Sequence, residues 1–384
     1  MGFVLLPFLK KVIDLALENF ASLLDNIAKS APLAEQSRRL PDQLVTELRM
    51  SGAFRALIPK KFSGLELPFE QYLDIIKRIA EQDASTAWCV NQAAVIATTS
   101  LWLPNQIISE IWEDPFASVA NGPPYSCTIN YADGGYKLTG HWGFSSGCQH
   151  ATWMTGPARF SEGGWRSAFF RPDQAQFDDT WHVAGLRATG SFEFRVKDLL
   201  VPASQIVNFH DDSTVKNDIT TIPTSLMFAV SFAAVGLGVA KGALSDVIKI
   251  AQSKKPRWAA LRLREDPDVQ RFLGKATARW RSADAYLMHT AAEVLDSVRR
   301  NQEISHKQRS QLRMAGTHVI QECAEVVDLA YKISGSTGIY QDELLQRRFQ
   351  DMHVITQHVQ GRESYFGLLG RYAISGDYET GPMT

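Results

Sequence analysis

The sequence predicts an α+β protein in which a β domain is held between two helical regions. Three observations carry this. Apolar residues recur three and four apart through the N-terminal part, alternating runs punctuated by Gly, Pro and Asp fill the middle, and the helical period returns in long segments towards the C-terminus. The boundaries read as 1–112, 113–215 and 216–384.

In the first region Val12, Leu15, Leu17, Phe20, Leu23 and Leu24 lie at helical spacing. Pro41 and Asp42 open a further helix to Met50, which Gly52 ends, and Pro68 precedes one over Phe69 to Gln82. In the middle region Asp133-Gly134-Gly135 separates Thr128–Tyr131 from Tyr136–Trp142 and predicts a hairpin. Thr152–Phe160, Trp165–Phe170, Thr180–Val183 and Phe192–Val196 are short, rich in β-branched and aromatic residues, and predict further strands of a compact barrel or sandwich. The third region predicts helices over 222–253, 267–300, 305–335 and 342–373, a four-helix bundle. Apolar segments this long bury faces against another subunit as well as each other, so a homo-oligomer, taken as a tetramer, is expected.

Composition narrows the function. Forty Lys plus Arg against forty-one Asp plus Glu leave a formal charge of −1, so neither nucleic acid nor an anionic membrane is an expected partner. Cys89, Cys127, Cys148 and Cys323 form no CxxC and no even framework, against a disulfide scaffold or a cysteine zinc site. Gly2 to Leu9 is a short apolar run followed, not preceded, by Lys10 and Lys11, the reverse of a signal peptide. No apolar stretch reaches the roughly 20 uninterrupted residues of a membrane span. A cytoplasmic protein with a small ligand is expected.

Three motifs invite chemistry. Gly143-Phe144-Ser145-Ser146-Gly147 satisfies the GxSxG pattern of a hydrolase nucleophile, but the segment after it reads as a strand where that elbow needs a helix. Gly236-Leu237-Gly238-Val239-Ala240-Lys241-Gly242 follows no strand and is spaced GxGxxxG, so it reads as small residues admitting a close helix neighbour and not as a dinucleotide loop. On a helix, His353 and His358 would diverge by about 140°, while Asp351 and His358 would share a face, which makes His358 the residue expected to enter a cleft.

The helix–β–helix order joins several local strings. These are Asp83-Ala84-Ser85-Thr86-Ala87-Trp88, Gly134-Gly135-Tyr136-Lys137-Leu138-Thr139-Gly140, Gly185-Leu186-Arg187-Ala188-Thr189-Gly190-Ser191, Val201-Pro202 and Arg347-Arg348-Phe349-Gln350-Asp351. In that order they resemble the acyl-CoA dehydrogenase superfamily over nearly the whole chain, which implies an acyl-CoA dehydrogenase-like fold. The dehydrogenases carry their catalytic glutamate in a Tyr-Glu-Gly-Thr string, and here Val354-Ile355-Thr356-Gln357-His358-Val359-Gln360 stands in its place. A histidine there, with Ser-Gly after the hairpin, is similar to the flavin-dependent monooxygenases of the same fold, such as 4-hydroxyphenylacetate hydroxylase, dibenzothiophene monooxygenase and the indole oxygenases.

That resemblance implies the oxygenase component of a two-component system, fed reduced flavin (FADH2 or FMNH2) by a separate NAD(P)H:flavin reductase. O2 as co-substrate would form a C4a-hydroperoxide that hydroxylates or epoxidises a small aromatic of the phenol or indole class. Ser146 would hydrogen-bond the ring near N5, and His358 would manage protons as a group titrating near neutrality. Trp88, Asn91, Trp142 and Phe144 would line the substrate pocket. Asn121 would approach the flavin, Arg257, in the basic run Lys254, Lys255, Arg257, Arg262 and Arg264, would meet its phosphate, and Gly335, Ser336 and Gly338 would meet it across a subunit contact. Two other readings stand beside this one: an acyl-CoA dehydrogenase or oxidase with a different base, and a catalytically inactive binding member of the family.

Overall fold

The computed structural model describes residues 5–378, with side chains from residue 20 onward, so the packing of Val12, Leu15 and Leu17 lies outside the described residues. Helices α1 (Leu5–Ser37), α2 (Asp42–Met50), α3 (Phe69–Gln82), α4 (Ala84–Ala97) and α5 (Asn105–Trp112) form the first region. The α2 and α3 boundaries follow the proline punctuation: Pro41 and Pro68 sit at the N-caps. Asp83 ends α3 and caps α4, its carboxylate accepting from the Thr86 N–H at 2.8 Å and the Thr86 hydroxyl at 2.7 Å.

The middle region is one eight-stranded mixed sheet. Its strands are β1 (Val119–Asn121), β2 (Pro124–Ala132), β3 (Gly135–Ser145), β4 (Trp153–Phe160), β5 (Trp165–Phe170), β6 (Gln176–Asp178), β7 (Phe192–Val201) and β8 (Ile206–Val207), ordered β6-β7-β3-β2-β4-β5-β8 with β1 parallel to β4. The β2–β3 hairpin turns through Asp133-Gly134, with Ala132 opposite Gly135 and Gly134 at φ 86°. One face of the sheet wraps a core of Ile129, Leu138, Trp142, Met154, Phe170 and Phe194. Among the described residues no pairing joins the end strands β6 and β8.

Two expected elements differ. Thr180–Val183 is not a strand: after β6 the chain runs irregularly to β7. Side chains there hold what a ladder would otherwise satisfy. Arg38 grips Asp179 at 2.6 Å and the Trp181 carbonyl at 3.0 Å, and the Trp181 indole donates to the Leu186 carbonyl at 3.0 Å. The segment expected as one helix over 342–373 divides into α10 (Leu344–Gln357) and α11 (Phe366–Ser375), with tight turns between. Groups on the preceding helix cause the break: Thr317 donates to the Gln360 carbonyl at 3.1 Å and Gln321 to the Gly361 carbonyl at 2.7 Å.

The C-terminal region comprises a short α6 (Asp218–Thr221), then α7 (Thr224–Ser253), α8 (Pro267–Arg299), α9 (His306–Ser334) and the two shorter helices. Helix α7 is long and apolar enough to cross a membrane, yet 89% of its most apolar stretch is buried inside the fold. The glycine motif explains its central position. A Cβ at Gly238 would run into the Lys77 carbonyl of α3, and one at Gly242 into the Arg348 guanidinium of α10. Close helix approach is therefore what these glycines provide.

Helix α10 ties the layers together. Its Arg348 donates from Nε to Asp246 Oδ2 of α7 at 2.7 Å, a buried ion pair. One turn on, the buried Asp351 accepts the Leu186 N–H from the β region at 2.6 Å. Burial, reinforced by the neighbouring Asp83, pushes the Asp351 carboxyl up to about 7.

Arg348→Ala is expected to destabilise the protein by about 3 kcal/mol in urea unfolding, because it strands a buried carboxylate. The paired change Asp246→Leu with Arg348→Met should recover most of that loss. Asp351 makes a pH prediction. Its raised folded pKa means its stabilisation is complete below the unfolded value of about 4 and is lost as pH rises through about 7. Asp351→Asn keeps the acceptor for Leu186 but cannot ionise. Its melting temperature relative to wild type should therefore climb between about pH 4 and 7. Asp351→Ala, which cannot ionise either, should follow the same pH trend but lie about 1–3 kcal/mol below Asp351→Asn, because it leaves the Leu186 N–H unsatisfied.

Candidate active site

The sequence Asp83-Ala84-Ser85-Thr86-Ala87-Trp88 starts α4 at a firm N-cap and so fixes where Trp88 emerges one turn later. Trp88 is buried and meets three groups from distant parts of the chain. Its indole N–H donates to Ser146 Oγ at 3.1 Å. Its ring lies 4.0 Å between centroids from Phe232 of α7 and 5.0 Å, edge-on, from His358. Phe232 and His358 are themselves 4.6 Å apart, so three rings close a cluster between α4, α7 and the end of α10.

Ser146 is reached by a strained path. Phe144, two residues before it, has φ 51°, an energetically costly value for a bulky residue, and Gly147, just after it, has φ 75°. Across from it lies a second left-handed pair, Leu186 at φ 51° and Gly190 at φ 50°. The Gly147 N–H donates to the Thr189 carbonyl at 2.9 Å and joins the two turns. From there a run of hydroxyls leads inward: Ser146 Oγ lies 2.7 Å from Ser191 Oγ, which lies 2.7 Å from Thr189 Oγ1, which donates to the Leu186 carbonyl at 2.8 Å.

His358 reaches the cluster by a route other than the expected helix face. Helix α10 ends at Gln357, and His358 is its C-cap with ψ 148°. Its Nδ1 accepts the Gln360 N–H at 3.4 Å, which leaves the proton on Nε2. Burial, with the Arg362 and Arg313 guanidiniums nearby, pushes the imidazole down to about 4. The expectation of a group titrating near neutrality is thus corrected: His358 is neutral at physiological pH, because charging it would place a cation among rings and guanidiniums. His353 points elsewhere, bonding Asp328 at 2.9 Å.

The remaining expected residues separate. Asn91, three residues from Trp88, is fully buried, and its side-chain oxygen accepts the Tyr72 hydroxyl at 2.8 Å. Asn121, at the end of β1, accepts from Gln92 of α4. Phe144 is 57% exposed and sits edge-on to Trp181 at 6.0 Å. Trp142 is no wall residue: it is fully enclosed in the β core, stacked on Phe194 at 4.9 Å with its N–H on the Pro157 carbonyl at 2.9 Å.

Arg257 lies exposed in the loop between α7 and α8, and Ser336 is exposed in the turn after α9. Those two segments are clamped together by Lys254, which donates to the Ser334 carbonyl at 2.6 Å and the Thr337 hydroxyl at 2.7 Å. Gly335 there has φ 54°, and a side chain at Gly338 would collide with Ser334. Ser145 carries no nucleophile geometry: its hydroxyl is buried beside the Cys148 thiol, which burial keeps protonated and which is no base. Sequence reasoning missed Phe232 altogether, and it assigned no role to Thr189 and Ser191 although both lie in the Gly185–Ser191 string.

Comparison with known proteins agrees with this geometry. Residues 230–363 match the family described as acyl-CoA dehydrogenase, C-terminal domain. Indole-3-acetate monooxygenase of Pseudomonas putida is 31% identical over 350 residues, 88% of this chain and 89% of that protein. The flavin-dependent monooxygenase oxygenase subunit HsaA of Mycobacterium tuberculosis is 26% identical over 376 residues, 94% of each chain. In three dimensions, XiaF of a Streptomyces species, solved with FADH2 and glycerol, superposes with a TM-score of 0.87 at 21% identity, covering 97% of this chain and 99% of that one. A histidine in place of the dehydrogenase glutamate, a serine beneath a tryptophan at the β-domain turn, and relatives of this similarity along nearly the full length lead to one conclusion: the chain belongs to the flavin-dependent monooxygenases, the oxygenase components built on the acyl-CoA dehydrogenase fold.

Proposed function

We propose that this protein hydroxylates a small aromatic of the phenol or indole class, using reduced flavin delivered by a separate reductase, at the cluster of Trp88, Ser146, Phe232 and His358. The observation that carries this reading is the convergence of a hydrogen-bonding hydroxyl and a neutral imidazole on one buried aromatic wall. When bound, reduced flavin supplies the two electrons that activate O2, so that one oxygen atom enters the substrate and the other leaves as water.

The residues present fit that group. Ser146 Oγ places a hydrogen-bonding oxygen at the position assigned to flavin N5, on a turn whose backbone strain is held by the neighbouring loop. Trp88 and Phe232 keep water from the reacting centre. His358, held neutral with its proton on Nε2, donates a hydrogen bond to an oxygen beside the wall as the substrate hydroxyl or ring nitrogen reacts. Asn91 is assigned to the substrate pocket and Asn121 to the edge of the flavin ring. Arg257 is assigned to the flavin phosphate, and Gly335, Ser336 and Gly338 to the same flavin from a second subunit. The last assignments require a homo-oligomer, taken as a tetramer. The surface around them suits burial: Trp258 is 95% exposed in the Arg257 loop, with Ile339 and Tyr340 exposed beyond the glycine turn. Four free, buried cysteines suit a reducing compartment such as the cytoplasm.

The reading is tested by mixing protein with chemically reduced flavin and a panel of indoles and phenols, admitting oxygen and measuring oxygenated product. Release of hydrogen peroxide alone, with every aromatic returned unchanged, would end it. His358→Ala is expected to slow hydroxylation roughly 10²–10⁴-fold in single-turnover experiments while reduced flavin still binds, and His353→Ala to cost little. Ser146→Ala should raise hydrogen peroxide release at the expense of product, through loss of a hydrogen bond worth about 1 kcal/mol. Ser145→Ala should not.

A further inference from the structure

The hydroxyl chain behind Ser146 has a direction that its end groups dictate. At one end the Trp88 indole can only donate, so Ser146 Oγ accepts there, at 3.1 Å. At the other end the Leu186 carbonyl can only accept, so the one proton of Thr189 is committed to it, at 2.8 Å. With that proton spent, the 2.7 Å contact between Thr189 and Ser191 must use the Ser191 proton. With that spent in turn, the 2.7 Å contact between Ser191 and Ser146 must use the Ser146 proton. A serine hydroxyl has one proton and two lone pairs. Ser146 has given its proton inward and one lone pair to Trp88, so what remains is a single lone pair. All four hydroxyl and indole side chains are buried, so no water competes to reverse the order.

We infer that Ser191 and Thr189 are positioning residues that hold Ser146 as a hydrogen-bond acceptor, so that the site prefers the reduced flavin, whose N5 carries a proton, over the oxidised flavin, whose N5 is itself an acceptor. This rests on the reading above that N5 lies at Ser146. Against oxidised flavin two acceptors would face each other, and relieving them would require breaking the whole inward chain. Selection of the redox state is thus set two residues behind the contact, by where a threonine proton is anchored. Leu186, whose carbonyl anchors it, is held on its N–H side by Asp351 at 2.6 Å.

The test is equilibrium binding and needs no turnover. Dissociation constants are measured under nitrogen for FAD, and in parallel FMN, each oxidised and dithionite-reduced, using flavin and tryptophan fluorescence. In Ser191→Ala and in Thr189→Val the Ser146 proton is freed to turn outward. The ratio of the oxidised to the reduced dissociation constant should fall about tenfold from wild type, which lowers the bound-flavin midpoint potential by about 30 mV for a two-electron couple. Ser191→Thr and Thr189→Ser keep the chain and should restore the wild-type ratio, which a role in packing alone would not produce. In a Ser146→Ala background, Ser191→Ala should shift the ratio no further. Circular dichroism and melting confirm folding of each variant, and the Thr189 pair carries the test should Ser191→Ala fail to fold. A wild-type ratio in both Ser191→Ala and Thr189→Val, with an altered ratio in Ser146→Ala, overturns the positioning role and leaves the proposed function standing. A wild-type ratio in Ser146→Ala overturns both the role and the placement of N5.

Discussion

A single buried hydrogen bond, from the Leu186 N–H to the Asp351 carboxylate, fixes the candidate site to the rest of the molecule. Leu186 is the anchor of the loop before β7, and Asp351 sits in the middle of α10, whose far end delivers His358. Arg348, one turn earlier, locks the same helix to Asp246 of α7, where Phe232 resides. Bundle, β region and the three rings are therefore positioned by one helix with two buried ionisable groups. The arrangement has a cost. A carboxyl pushed up to about 7 by burial beside Asp83 opposes its own ionisation, and the fold tolerates this because the alternative is an orphaned backbone donor.

The same low-polarity surroundings define the chemistry available at the cluster. A histidine lowered to about 4 is of little use as a charged acid at neutral pH, but it is a reliable neutral donor with a fixed tautomer. The serine opposite is fixed in the same sense, since one lone pair is engaged by the indole and its proton by Ser191. Directional hydrogen bonds held in advance suit a site that must stabilise a reactive oxygen donor without supplying stray protons or water. Strain at Phe144 and Leu186 is concentrated where those bonds are made.

Some of this was written locally in the chain. Proline and aspartate before α2, α3 and α4, the Asp-Gly hairpin and the long apolar period of α7 to α9 act within a few residues of themselves, so region order and most helix boundaries followed from sequence. The strings around Ser146 and His358 singled both out as candidates, and the structure brings both to Trp88, His358 through a helix end and not along a helix face. The break at His358 could not be seen, because the groups that make it, Thr317 and Gln321, lie on another helix. The irregular run after β6 escaped for the same reason, since Arg38 and Asp351 supply its partners from far along the chain.

What the sequence determined by itself, then, was the class of fold and the small-molecule character, because periodicity, caps and turn chemistry are properties of neighbouring residues. What only the tertiary structure decided was which of those residues meet and in which protonation state. Trp142 and Trp88 are alike in the sequence, yet one is sealed in the β core and the other closes the aromatic cluster. Burial and the direction of a hydrogen bond depend on partners brought from other elements, and a hydroxyl's role is fixed by where the chain behind it ends.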